Sequence, residues 1–372
     1  MSTEEFELQP IEKPVQAVEP DSAFLIEVER FIWAKQAREA FSINGEGMTV
    51  AVLDTGINNE HVDFSGRIPT QFNATDDNDG DQNDATDGQG HGTNVGGIIV
   101  AGGDHTGIAP KANIIPVKVL GNNGRGDWDW IIKGLEWVET NHERHNISVV
   151  CMSLGARSNL TSDEDINGSS SSRIQELIQS LARAKIAVCI AAGNDYFRFK
   201  EEGMSFPAIV RECISVGAVY DADEGSFSYG SGAEAFSSNP GQITPFSQRL
   251  HRSTDHLTRT DIFAPGAPVT SSGILGAHGE STQSGTSQAT PVTAGVVLLV
   301  QQFYRQATGE LPSVRSIAGW LYSGGVPIVD GDDENDNVPN TKKTYRHIDA
   351  LSALDAVRRH LQRKRLIELQ AE

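Results

Sequence analysis

Cysteine, basic excess and long apolar runs are all scarce in this chain, and each shortage excludes something. Only three cysteines, Cys151, Cys189 and Cys213, stand among 372 residues. Three thiols cannot pair fully, and each lies in an apolar strand-like run, so buried free thiols are expected rather than a disulfide framework. No stretch approaches the roughly 18 consecutive apolar residues that a membrane-crossing helix needs, so no membrane partner is expected. Lysine and arginine total 30 against 50 acidic residues, a formal net charge of -20, which argues against nucleic acid as a partner because phosphate backbones need a basic face. The opening Met1-Ser2-Thr3-Glu4-Glu5 is the reverse of a positively charged secretory start, so the expected location is the cytoplasm. Nothing in the sequence sets an oligomeric state.

What is present is a large, patterned apolar content, 38% of residues. Residues 1 to about 25 carry Glu and Pro with little periodicity and read as an extended acidic arm. Folded chain is expected from Phe31. The expected division is therefore an N-terminal extension over 1–30, a folded domain over 31–358 and a charged C-terminal tail over 359–372. Apolar runs at Met48–Leu53, Ala112–Leu120, Ile147–Met152, Ile186–Ala191, Cys213–Val219 and Asp261–Ala264 read as buried strands of a parallel sheet. Helical spacing separates them, clearest over Arg173–Lys185, with a second helix over Asp129–Thr140. This alternation predicts a doubly wound α/β domain, mostly parallel, with helices on both faces and its active site beyond the carboxyl ends of the strands. Residues 223–245 and Asp330–Asn337 read as loops outside that scaffold.

Three segments carry the chemistry: Val50-Ala51-Val52-Leu53-Asp54-Thr55-Gly56, Gly90-His91-Gly92-Thr93 and Ser284-Gly285-Thr286-Ser287-Gln288-Ala289-Thr290-Pro291. A serine hydroxyl is a poor nucleophile near neutral pH. It needs an imidazole to take its proton and a carboxylate to hold that imidazole. Asp54, His91 and Ser287 supply these groups, and the apolar stretch after Ser287 predicts a buried helix with Pro291 in its first turn. The nucleophile would then stand at a helix N-terminus, where N–H groups face developing negative charge.

These segments resemble the subtilase family of serine proteases. The likeness extends through Pro116-Val117-Lys118-Val119-Leu120-Gly121, Met152-Ser153-Leu154-Gly155, Ala191-Ala192-Gly193-Asn194 and Phe263-Ala264-Pro265-Gly266, in family order. The resemblance implies a subtilisin-like fold and a serine endopeptidase acting on proteins or peptides through an acyl-enzyme on Ser287. It also implies Asn194 as the oxyanion-hole side chain. Substrate would lie extended between Leu120–Gly124, through Gly121, Asn122 and Gly124, and Ser153–Gly155. Ser153, Leu154, Gly155, Ala156, Ala191, Ala192 and Gly193 would line the primary pocket, with Ser205 near its floor. Small apolar walls favour a hydrophobic residue before the cleaved bond, while Asp195 at the rim would welcome Lys or Arg. Trp128 and Ile131 would flank a second pocket.

The likeness also implies structural calcium and no organic cofactor. Asp76, Asp77, Asp79, Asp81 and Asp84, gathered around a glycine turn, are the candidate ligands, and Asp330–Asp336 is a second acidic run. Asn94 and Gln288 depart from the family's usual histidine and methionine. The short N-terminal extension resembles that of intracellular subtilases and suggests a short propeptide lying across the cleft. Two other functions fit the same residues: acyl transfer to an amine, giving peptide ligation or cyclisation, and a catalytically silent, calcium-stabilised binding module.

Overall fold

A computed structural model describes residues 6–7, 25–254 and 257–371. The rest of the expected N-terminal arm lies outside the described residues. At the centre is a nine-stranded sheet in the order Val326–Val329, Thr344–His347, Ile262–Pro265, Ile214–Val219, Ala187–Ala191, Ile147–Met152, Thr49–Asp54, Asn113–Lys118 and Phe72–Asn73. Neighbouring strands run parallel except at one edge, where Val326–Val329 lies antiparallel to Thr344–His347.

The central strands read as unbroken apolar runs because both of their faces are covered. Along Thr49–Asp54, Val50 and Val52 join one core while Ala51 and Leu53 join the other. The first core packs under the helices His91–Val100 and Thr286–Thr308, the second under Trp128–His145 and Ser169–Arg183. All three cysteines are buried and unpaired, and burial pushes each thiol pKa up.

Four expectations need correction. The folded domain begins ahead of Phe31: the helix Leu25–Phe31 buries Leu25 and Val28 in the first core, so the 1–30 boundary cuts a packed element. The tail over 359–372 is no separate segment, since one helix runs Ala350–Ala371 and anchors through Ala353, Leu354 and Val357. Residues 223–245 and the acidic run after Asp330 are not simply loops. Glu234–Ser237 pairs with Phe227–Ser228 on one side and with Asn335–Asp336 on the other, over buried Phe227 and Tyr229. The cause is local: too few apolar residues alternate here to mark strands, and the pairing partner lies about a hundred residues away. Finally, Pro291 falls in the second turn of Thr286–Thr308, not the first.

Candidate active site

Three adjacent parallel strands end side by side: Thr49–Asp54 at Asp54, Ile147–Met152 just before Ser153, and Ala187–Ala191 just before Gly193 and Asn194. Each loop that leaves this rim carries a candidate group. The Asp54 carboxylate is fully buried, and its Oδ1 accepts from Thr55 N (2.7 Å) and from His91 Nδ1 (2.7 Å). His91 opens the helix His91–Val100, whose start is fixed by Asp87: Oδ1 accepts from Gln89 N and Gly90 N, and Oδ2 from the backbone and hydroxyl of Thr93. Gly92 donates to Thr55 Oγ1 at 2.8 Å, and a Cβ there would stand 2.2 Å from the Gly56 carbonyl. Only glycine lets the imidazole helix approach the acid's turn this closely.

Burial opposes protonation of His91, but the charge of Asp54, its hydrogen bond and the charge of Asp87 outweigh it and raise the imidazole pKa. His91 Nε2, buried, has no hydrogen-bond partner among the described residues. With Nδ1–H donated to Asp54, Nε2 is the basic nitrogen that faces away from the acid.

Ser287 opens the helix Thr286–Thr308 and is 2% exposed. Its neighbours bind those of His91: Gln283 Nε2 donates to Gly90 O (3.3 Å), and Gln288 Nε2 to Asn94 Oδ1 (3.2 Å). The segment that carries Ser287 and the one that carries His91 are thus tied at two points. Asn94 and Gln288, the two departures from family pattern, bond to each other. The Ser287 hydroxyl donates to Ser153 O (3.1 Å) in this conformer. Ser153 Oγ in turn donates to Ser287 O (2.7 Å). That carbonyl is available because Pro291, four residues on, has no N–H to give it.

Asn194 Oδ1 accepts from Thr286 N (2.9 Å) and Thr286 Oγ1 (2.8 Å), which aims its amide nitrogen toward the Ser287 turn. Asn194 Nδ2 lies 3.1 Å and Ser287 N 3.5 Å from the point a Cβ on Gly285 would occupy. Two N–H donors therefore border one small space that a side chain at 285 would fill, with the Gln288 Oε1 acceptor 3.2 Å from the same point.

The proposed pocket residues separate into two groups. Ser205 donates to Ala191 O (3.4 Å) and its N–H to Ala192 O, and Ala156 N donates to Phe206 O, so these sit together beside Gly193. Leu154 is fully buried in the second core and is packing, not an open wall. Ile131 is likewise buried, while Trp128 lies tilted against Phe206 with ring centroids 5.2 Å apart. Asp195 is 7% exposed, with Oδ1 3.6 Å from Arg157 Nε. Burial raises its pKa, against the lowering effect of Arg157 and Arg198. It is a buried ion-pair partner rather than an open rim charge. Gly121 and Gly124 spend their N–H groups on a turn, to Arg125 O and Gly121 O. The strand-forming edge is therefore Arg125–Gly126, just beyond the expected Leu120–Gly124.

Residues 76–84 do not gather their carboxylates. Asp77 Oδ2 accepts from Asn122 N, Asp81 Oδ1 from Asn83 N and Asp84 Oδ1 from Thr86 N, so each serves the nearby backbone. Among the described residues, the one group of three acidic or metal-ligating side chains with donor atoms within 4.8 Å of one another is Asp332, Asp333 and Glu334.

Sequence reading missed Thr55, Asp87, Thr286 and Gln248. Asp87 carried a weak signal, a turn-forming aspartate three residues ahead of Gly90, the N-cap of the His91 helix. Gln248 carried none: its N–H donates to Gly193 O across a long connection.

Residues 45–318 match the subtilase family description, Peptidase S8. The chain belongs to the subtilase family. It is a subtilisin-like serine endopeptidase by that match and by its similarity to curated proteases. An intracellular serine protease of Paenibacillus polymyxa is 32% identical over 262 residues, 69% of this chain and 68% of the relative. The major intracellular serine protease of Bacillus subtilis (strain 168) is 30% identical over 302 residues, 80% of each. A subtilisin-like protease of Coccidioides posadasii is 34% identical over 260 residues, but the match spans only 44% of that longer chain. No helix among the described residues of this subtilase is long and apolar enough to cross a membrane.

Proposed function

We propose that this subtilase hydrolyses peptide bonds through an acyl-enzyme on Ser287, with His91 as general base, Asp54 as its orienting acid and Asn194 with Ser287 N as oxyanion donors. The observation that carries the reading is the buried Asp54–His91 hydrogen bond with Nε2 left unpartnered among the described residues, on a segment tied to that of Ser287 through Gln283–Gly90 and Gln288–Asn94. Rotation of the Ser287 hydroxyl from Ser153 O to His91 Nε2 completes the triad. The imidazole then takes the proton as Oγ attacks the scissile carbonyl, and returns it to the leaving amine. Negative charge on the carbonyl oxygen falls between Asn194 Nδ2–H and Ser287 N–H.

Asn194→Ala is expected to lower kcat by about 10²- to 10³-fold, a magnitude taken from the corresponding asparagine of subtilisin itself. KM should change little, because the donor acts on charge that develops only in the transition state. An unchanged kcat on a peptide substrate would remove Asn194 from the oxyanion hole. Labelling of Ser287 by a fluorophosphonate separates the enzyme from a silent binding module, and product analysis separates hydrolysis from ligation.

An extended substrate is proposed to add a strand at Arg125–Gly126. The described part of the N-terminal arm supports this edge, since Phe6 pairs with Gly126 and Glu7 with Arg125 in antiparallel fashion. The arm then competes with substrate. A chain shortened to begin at Leu25 is expected to cleave peptide at once, whereas the full chain shows a lag; equal initial rates count against the arm as a gate. The names of the Paenibacillus and Bacillus relatives support an intracellular site of action.

A structural calcium ion enters only through the family likeness, because residues 76–84 do not present a cage of carboxylates. No step of the reaction is drawn through it. A higher melting temperature in millimolar calcium than in excess chelator supports the ion, and equal values remove it.

A further inference from the structure

Lys118 is a fully buried cation directly opposite the catalytic acid. It ends the strand Asn113–Lys118, where it pairs in register with Asp54. Burying an ammonium is costly unless its donors are satisfied, so a lysine here needs a reason. Its Nζ donates to Thr55 O (2.5 Å) and to Asn122 Oδ1 (2.9 Å).

Those two acceptors belong to the two halves of the site. Thr55 is the residue whose N–H holds Asp54 Oδ1 and whose hydroxyl accepts from Gly92, beside His91. Asn122 stands in the Gly121–Gly124 turn that leads to the Arg125–Gly126 edge. Its Oδ1 also accepts from Gly88 N (3.1 Å), and its own N–H donates to Asp77 Oδ2 (2.6 Å). One ammonium therefore clamps the acid's turn, the turn before the substrate edge, and the segment leading into the His91 helix. Burial lowers the Lys118 pKa, the charges of Asp87, Asp77, Asp54 and Asp84 act against that, and two of the four, Asp54 and Asp87, also raise the imidazole pKa.

We propose that Lys118 is a positioning residue of the hydrolytic reaction, which fixes the acid's turn against the substrate edge and sets a positive charge behind the Asp54–His91 pair. This rests on the protease reading given above. The charge has a defined consequence. Asp54 and Asp87 stabilise the imidazolium, which is the inactive form of the base. A cation among the same carboxylates offsets them and keeps His91 neutral down to lower pH than the two carboxylates alone would allow.

The test is the pH profile of kcat/KM for the full chain, for Lys118→Met and for Asn122→Asp. The first variant removes the charge, and the second sets an anion beside it at an exposed position while leaving the buried lysine in place. Both are expected to move the acid limb to higher pH. Lys118→Met should also lower kcat/KM more for an extended peptide than for a single-residue ester, because the edge loses its clamp. An acid limb that stays in place in both variants, with any rate loss equal at every pH, overturns the proposal and leaves Lys118 a packing residue. If Lys118→Met does not fold, Asn122→Ala, which removes one acceptor of the ammonium at an exposed position, decides: a larger loss of kcat/KM for the extended peptide than for the ester keeps the clamp, and equal losses remove it. Fluorophosphonate labelling of Ser287 in the parent chain tells a failure of this inference from a failure of the protease reading, since an unlabelled parent sinks the latter first.

Discussion

Ser287→Ala is expected to reduce kcat by about 10⁶-fold and to abolish fluorophosphonate labelling, a magnitude known from the nucleophile of subtilisin itself. The loss is this large because no neighbouring group replaces the nucleophile. Ser153 Oγ is committed to Ser287 O, and the thiol of Cys151, 3.8 Å from Ser153 Oγ, is buried with its pKa raised by burial and by Cys189. Loss of one hydroxyl should leave the fold intact, since among the described residues the Ser287 side chain makes a single bond, to Ser153 O. Equal melting temperatures with a collapsed kcat are therefore the expected pair of results. Residual turnover well above background on a peptide, with the parent's cleavage products, would show that Ser287 is not the nucleophile.

The second large effect is predicted for Asp54→Ala: a fall in kcat of about 10⁴-fold, again a size known from the subtilisin triad. Here the pH profile adds a sign. Activity requires neutral His91, so it is lost as pH falls through the His91 pKa. That pKa lies above its ordinary value of about 6.5, because Asp54 and Asp87 outweigh burial, so the parent's acid limb lies above the same mark. Removing Asp54 removes the strongest of the raising influences while burial remains, and the acid limb should move to lower pH. The two losses should not add. Once the nucleophile is gone the base has nothing to activate, so the double variant is expected to be no slower than Ser287→Ala alone. An acid limb that rises in Asp54→Ala would show that some other group sets the protonation of the base.

The segments that carry Asp54, His91, Ser287 and Asn194 stood out in the sequence because the backbone of each needs the flanking glycine or threonine. Gly92 is required for the approach of His91 to Asp54, and Thr55 and Thr93 satisfy the polar groups that approach buries. Such local demands leave a local signature. Pocket and loop residues leave weaker ones. Leu154 and Ile131 look the same in sequence whether they line a pocket or fill the core, and the structure puts both in the core. Asp195 looks like a rim charge until Arg157, far along the chain, is seen beside it. The acidic run of residues 76–84 looks like a cation loop because composition counts carboxylates, whereas a cage depends on where they point.

The periodicity of the chain was enough to establish a mostly parallel sheet covered on both faces, with reactive residues at the carboxyl ends of its strands. That pattern is set by burial, which acts on each run of residues separately. Which strands lie side by side, and so which reactive ends meet, was decided only by tertiary packing. Glu234–Ser237 finding Asn335–Asp336, Lys118 standing opposite Asp54, and Ser153 taking the carbonyl that Pro291 leaves open all join residues distant in sequence. Those contacts follow from the closing of the two cores around the sheet, a property of the whole chain that no single segment records.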